Sequence, residues 1–166
     1  MGKAGVDIVA AVSGARRDSR RERETRRSRK RRADALGRVP LFAELSRRDL
    51  VRLADASQIV TFRAGAPVIH EGDLGATLFV IVEGEARVTR GGRKLASLAP
   101  GDFFGEVSLL DGGPRTASVI AETPLTVVRL FRGPFFRLVQ ADPLIGVKVL
   151  AELARRLRRI ERRTRG

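Results

Sequence analysis

Between Gln58 and Phe131 the chain breaks into short β-rich runs, each closed by a turn, and this rhythm constrains the fold more than any other feature. The runs are Ile59–Phe62, Pro67–Ile69, Leu78–Val82, Ala86–Thr89, Lys94–Leu98, Thr116–Ala121 and Leu125–Leu130. Between them lie Gly65, Glu71–Asp73, Glu83-Gly84, Gly91-Gly92, Pro100-Gly101-Asp102 and Thr123-Pro124. Many short strands with regular turn signals indicate an antiparallel sandwich or jelly roll. Helical periodicity appears only outside this stretch. Ser46 with Asp49 forms a capping-box pattern, and Leu50, Val51, Leu53 and Ala54 give the following helix one apolar face to about Ala56. After the roll, Pro134–Gln140 reads as a short helix. Asp142 and Pro143 then open a long basic one, in which Leu150, Leu153, Leu157 and Ile160 recur at 3-4-3 spacing and Gly146 extends the series back. The expected class is α+β, mainly β: an antiparallel β-roll flanked by an N-terminal helix and C-terminal helices.

The chemistry gathers in one segment, Phe103–Ala121, FFGEVSLLDGGPRTASVIA. Glu106 follows Gly105. A short loop later comes Arg115, then the small residues Thr116-Ala117-Ser118. A carboxylate can accept a hydrogen bond from a sugar hydroxyl, and a guanidinium forms charge-assisted bonds with phosphate oxygens. A glycine lets backbone approach closely, and amides opening a helical turn at Glu106–Leu110 would point at an anion. Taken singly, Arg115 is equally a surface turn arginine and Glu106 an acid complementing a helix dipole. Gly105 and Ser108 are equally an ordinary turn glycine and a small core residue.

The order of these residues resembles the phosphate-binding cassette of the cyclic-nucleotide-binding domain family. That family takes in catabolite activator proteins, the regulatory subunits of cyclic-AMP-dependent protein kinase and cyclic-nucleotide-gated channels. Its pattern is Gly-Glu, an apolar residue, a small residue, Leu, a loop, then Arg, a small residue and Ala. Here it reads Gly105-Glu106-Val107-Ser108-Leu109, Leu110–Pro114, Arg115-Thr116-Ala117. A second family pattern lies upstream, carried by Val68-Ile69, Gly72-Asp73, Gly75, Leu78–Ile81 and Gly84. The resemblance runs from about Val39 to Arg163.

The resemblance implies that Arg115 pairs with the cyclic phosphate and that Glu106 accepts from the ribose 2′-hydroxyl. Gly105, Val107, Ser108, Thr116 and Ala117 would complete the ligand site. Thr116 could reach the phosphate or a guanine amino group. A Thr here often accompanies cyclic-GMP recognition in the family, but some cyclic-AMP binders carry it too, and we favour cyclic AMP. Phe103 and Phe104 are expected in the core, and His70 at a turn or edge. The implied function is a stand-alone cyclic-nucleotide sensor, not an enzyme, in which binding shifts the C-terminal helix. That helix could close over the base or pair with a second copy. Two alternatives remain open: a transcription-regulator-like protein that contacts nucleic acid through its basic arms, and a degenerate roll serving as an interaction module.

Composition narrows the chemistry. The absence of cysteine excludes disulfides and thiolate metal sites, and a single histidine, His70, excludes a multi-imidazole site. No cofactor beyond the nucleotide ligand is expected. No apolar run approaches the length of a membrane span, and Gly5–Val12 is too short and early for a convincing signal peptide. We expect a soluble, cytoplasmic protein. Its net charge of +14 is uneven, because Arg16–Arg32 carries eleven Arg and Lys against Asp18, Glu22 and Glu24. More arginines cluster from Arg155 to Arg165. Residues 1–35 therefore read as a basic arm, disordered or only weakly helical by itself, and 36–166 as the folded domain. The arm could contact nucleic acid, anionic lipid or an effector protein.

Overall fold

The computed structural model describes residues 8–164, so the first seven residues of the expected arm lie outside the described residues. The chain opens with α1 (Ile8–Gly37), a single 3-10 turn (Pro40–Phe42) and α2 (Arg47–Asp55). The roll follows as β1 (Ser57–Phe62), β2 (Pro67–Ile69), β3 (Thr77–Glu83), β4 (Ala86–Arg90), β5 (Arg93–Leu98) and β6 (Phe103–Phe104). Then come α3 (Glu106–Asp111), β7 (Ser118–Ala121), β8 (Leu125–Phe131), α4 (Arg132–Ala141) and α5 (Pro143–Thr164). Among the described residues no helix is long and apolar enough to cross a membrane.

The strands form two four-stranded antiparallel sheets, ordered β1-β8-β3-β6 and β2-β7-β4-β5. Each strand expected from the sequence is present, with ends shifted by a residue or two. β6 went unforeseen because two residues carry no period. β3 and β8 lie at the centre of their sheet, with Val128 facing both Ile59 and Val80. That sheet is buried on both faces. Leu78, Val80, Val128 and Leu130 point to the helices, while Phe79, Ile81, Leu125 and Val127 point into the roll. Double burial is why β3 reads as a continuous apolar run and not as an alternation. Phe79 stacks on Phe104 inside the roll, centroids 5.0 Å apart.

The helices assemble on the outer face of this sheet. α2 begins at the expected box, where Ser46 Oγ accepts from the Asp49 amide at 3.2 Å and Asp49 Oδ2 accepts from the Ser46 amide at 3.4 Å. Phe42, Leu53, Phe135, Ile145 and Val149 share one cluster, with the Phe42 and Phe135 rings 6.3 Å apart. α5 buries Ile145 and Val149, and Leu153 packs against the same cluster. Leu150 and Leu157 instead remain 65% and 62% exposed, beside exposed Leu144 and Val147. The spaced leucines therefore divide between two faces of the helix. The side chain of Ile160 lies outside those described.

The N-terminal arm departs from expectation. From Ile8 onward the backbone is one helix, not a disordered tail, and the expected boundary after residue 35 falls inside its last turn. Ala33 and Leu36 are fully buried in the helical cluster, and Ala35 nearly so. Polar ties reinforce this root. Arg29 pairs with Asp55 at 3.7 Å, Arg31 pairs with Glu83 of β3, and Arg32 Nε donates to the Ala54 carbonyl at 2.9 Å. A charge count over residues 1–35 hides these few apolar positions, although burying them is what holds the helix. Leu36→Ala is accordingly expected to lower the unfolding free energy by about 2–5 kcal/mol, read by chemical denaturation. Arg23→Ala, on the exposed part of the same helix, should change it by less than about 0.5 kcal/mol.

Candidate functional site

The site is built where β6 turns into α3. β6 pairs with β3 through Phe104–Phe79 and Phe103–Val80, which fixes the height of the next residue, Gly105. Gly105 adopts φ +84°, and a Cβ there would lie 2.5 Å from the Thr77 carbonyl and 2.6 Å from an Arg115 terminal nitrogen. Only glycine satisfies both demands. α3 then runs for six residues and ends at Gly112, whose amide donates to Ser108 O at 2.9 Å. Leu109 is fully buried beneath it.

Arg115 arrives from the other side. Its backbone is clamped to the loop after β2: its amide donates to Asp73 O at 2.8 Å, and its carbonyl accepts from the Gly72 amide at 2.8 Å. Its side chain threads between two glycines. A Cβ on Gly75 would sit 2.1 Å from Nε, so that glycine forms the second wall of the slot. The guanidinium donates to the carbonyls of Thr77 at 2.8 Å and Gly105 at 3.3 Å, and lies 5.8 Å from the centroid of the Phe79 ring. Only 7% of Arg115 is exposed. Burial pushes its pKa below the ordinary arginine value. The guanidinium stays charged, so a buried cation is held here by neutral carbonyl dipoles.

Gly105–Ser108 and Arg115–Ala117, all seven residues expected from the sequence, line one cavity of about 190 Å³. Within it Ser108 is buried, Glu106 half-buried at the first position of α3, and Val107 and Thr116 exposed. The opposite wall comes from the other sheet and is largely apolar: Ile69, Val88, Leu98 and Val119. Phe103 and Phe104 belong to the core, as expected, but also edge the cavity. The β4–β5 hairpin adds Arg90 and Leu95, which sequence reasoning missed. Their signal lay in the alternation of Val88 and Arg90 along β4, both on the cavity side. Arg90 Nε donates to Thr116 O at 2.8 Å, tying this hairpin to the cassette, and Glu71 accepts from the Gly91 amide at 2.9 Å, tying it to the loop after β2. His70 is exposed and does not line the cavity.

A wider groove of about 730 Å³ runs between α1 and β3. It is open, and its walls mix Arg27, Lys30, Arg31 and Arg38 with Glu24, Asp34 and Glu83. Such a balanced surface offers no single-sign attraction. The smaller cavity joins an apolar wall to a buried cation and a carboxylate, so it can hold a small anion-bearing ligand with both polar and apolar faces.

Comparison with known proteins identifies the family and the fold. The family described as cyclic nucleotide-binding domain matches residues 59–142. The chain is 39% identical over 124 residues to the cyclic AMP receptor protein of Thermus thermophilus, covering 72% of this chain and 57% of that protein. It is 44% identical over 107 residues to the cAMP-dependent protein kinase regulatory subunit of Eremothecium gossypii, covering 64% of this chain and 23% of that one. The chain thus spans a little over half of the first relative and under a quarter of the second. Among solved structures, the N-terminal domain of a transcriptional regulator from Streptomyces coelicolor A3(2) superposes with a TM-score of 0.69 at 35% identity, covering 76% of this chain and 94% of that one. Residues that build the slot for Arg115 and the cavity beside it, and both sheets apart from the first two residues of β1, fall within the matched stretch, and the chain belongs to the cyclic nucleotide-binding domain family.

Proposed function

We propose that this protein is a regulatory sensor, not an enzyme, that binds a 3′,5′-cyclic nucleotide, with cyclic AMP favoured, in the cavity between α3 and the β4–β5 hairpin. The observation that carries this is the buried Arg115, which lines the cavity and whose guanidinium, among the described residues, donates only to the Thr77 and Gly105 carbonyls. A buried cation gains most from an anion brought in by a ligand, and a phosphodiester supplies one negative charge. Glu106 then takes the ribose 2′-hydroxyl, which selects ribonucleotides. Gly105, Val107, Ser108 and Ala117 shape the wall around phosphate and sugar, and Thr116 at the rim meets the base or the phosphate. Relatives named for cyclic AMP support the choice of adenine.

The signal passes through packing. Leu109 of α3 lies in the same buried cluster as Phe135 of α4 and Ile145 and Val149 of α5. A ligand that draws α3 toward the phosphate repacks that cluster and shifts α5. The folded unit that does this includes the last turns of α1, because Ala33 and Leu36 sit in the same cluster. A second reading concerns α5 itself. The exposed Leu144, Val147, Leu150 and Leu157 fit a pairing surface for a second copy of the chain.

Three measurements check these readings. Cyclic AMP at a hundred times its dissociation constant should add about 2.7 kcal/mol of stability and raise the melting temperature; unchanged melting at millimolar cyclic AMP and cyclic GMP would overturn the ligand assignment. By calorimetric titration, Arg115→Ala should weaken binding by about 2–5 kcal/mol. Glu106→Ala should weaken it by about 1–3 kcal/mol and erase discrimination against the 2′-deoxy ligand. In sedimentation at high micromolar concentration the protein should dimerise, and Leu150→Glu with Leu157→Glu should return it to monomer. A monomeric parent with and without ligand would exclude the pairing surface.

A further inference from the structure

The exposed stretch of α1 carries a charge pattern that the nucleotide site does not use. Every residue from Arg20 to Arg27 is exposed, whereas Ser28 and Arg29 are half-buried and Ala33 and Leu36 are inside. The helix is therefore rooted in the domain by its last turns, and its preceding turns stand clear of it. Those turns carry Arg20, Arg21, Arg23, Arg26, Arg27 and Lys30, and none of the six makes an ion pair with another described residue. The paired arginines, Arg29 and Arg31, belong to the root. Glu22 and Glu24 are the only acids within Arg20–Lys30, so this stretch keeps an excess of positive charge.

Glu22 four residues before Arg26, and Glu24 four residues after Arg20, offset the like-charge pairs Arg23 with Arg27 and Arg26 with Lys30. Six exposed cations against two exposed carboxylates still leave an excess positive charge, and its complement is a polyanion. Two features decide which kind. The stretch Arg16–Arg32 contains no apolar residue at all, so this helix has no face to insert at a lipid interface. Ten of its eleven cations are arginines, whose planar fork matches phosphate oxygens and holds its charge on a duplex. A bare helix about 10–12 Å across also fits the major groove of B-DNA, about 12 Å wide. Six cations spread over about 15 Å of helix axis meet a duplex that offers one phosphate charge per roughly 1.7 Å.

We propose that Arg20–Lys30 of α1 is a docking element for the phosphate backbone of duplex DNA, independent of base sequence. It lies outside the stretch matched by the family, residues 59–142, and does not depend on what the cavity binds. Because the six cations would each displace counterions, affinity should fall with a log–log salt slope of about −5.

The test is fluorescence anisotropy with the full chain and two short duplexes of unrelated sequence, titrated between roughly 50 and 200 mM salt. The parent should bind both duplexes alike, losing about 10³-fold in affinity across that range. The variant R20Q/R23Q/R27Q should melt like the parent, keep its response to cyclic AMP, and flatten the slope to about −3. The variant R158Q/R162Q, which removes exposed charge from α5, should leave the slope unchanged. The proposal is overturned if the parent ignores both duplexes at low salt, or if the α1 variant binds as tightly as the parent. It is equally overturned if the α5 variant loses as much per charge, which would reduce the effect to net charge. Tighter binding to phosphatidylserine-containing vesicles than to duplex at matched salt would assign the helix to membrane surfaces instead.

Discussion

The placement of one guanidinium governs the architecture around the cavity. Arg115 can enter only because Gly75 and Gly105 leave room on either side, and it stays because the Thr77 and Gly105 carbonyls accept its protons. Three separate stretches of chain meet there: the loop after β2, the start of β3, and the β6–α3 turn. Each is glycine-marked or strand-fixed for the same reason. A Cβ at either glycine would displace the cation and leave a buried charge without partners, which costs more than the lost contacts themselves. The slot is walled by backbone and glycine on both sides, while the wall opposite, from the β4–β5 hairpin, is hydrogen-bonded at exposed positions.

Much of this was legible in the residues. Turn punctuation gave seven of the eight strands, because Gly, Pro and Asp at the ends mark where a ladder must stop. The cassette gave Glu106 and Arg115 because their spacing has a chemical purpose that survives without coordinates. What stayed hidden depends on partners distant in sequence. Nothing near Gly75 announces that it faces Arg115, since the contact spans about forty residues and is decided by strand pairing. For Arg90 and Leu95 the alternation along β4 marked a face but not its destination: their hairpin reaches the cavity only once β4 has paired with β7.

The helices show the opposite difficulty, where a correct pattern has more than one use. Leu150, Leu153 and Leu157 share a spacing, yet Leu153 leans on the core while its neighbours face out. The inner face is carried instead by Ile145 and Val149, so the helix has two apolar sides and periodicity reports their sum. In α1 the error ran the other way. A dense run of charge dominated the composition, and three buried residues at its end decided the outcome.

One hydrophobic cluster holds Leu36 of α1, Leu109 of α3 and Val149 of α5 together. The elements at the cavity, at the exposed leucine stripe and at the basic helix therefore share a single body of packing. Close-packed interiors respond by switching between arrangements and not by yielding locally. Reciprocity follows from thermodynamics alone: a contact on α1 that biases this cluster by some factor changes affinity at the cavity by that same factor, and the cavity returns it. If the cavity and the basic helix each bind as proposed, either site would report on the other as readily as control it.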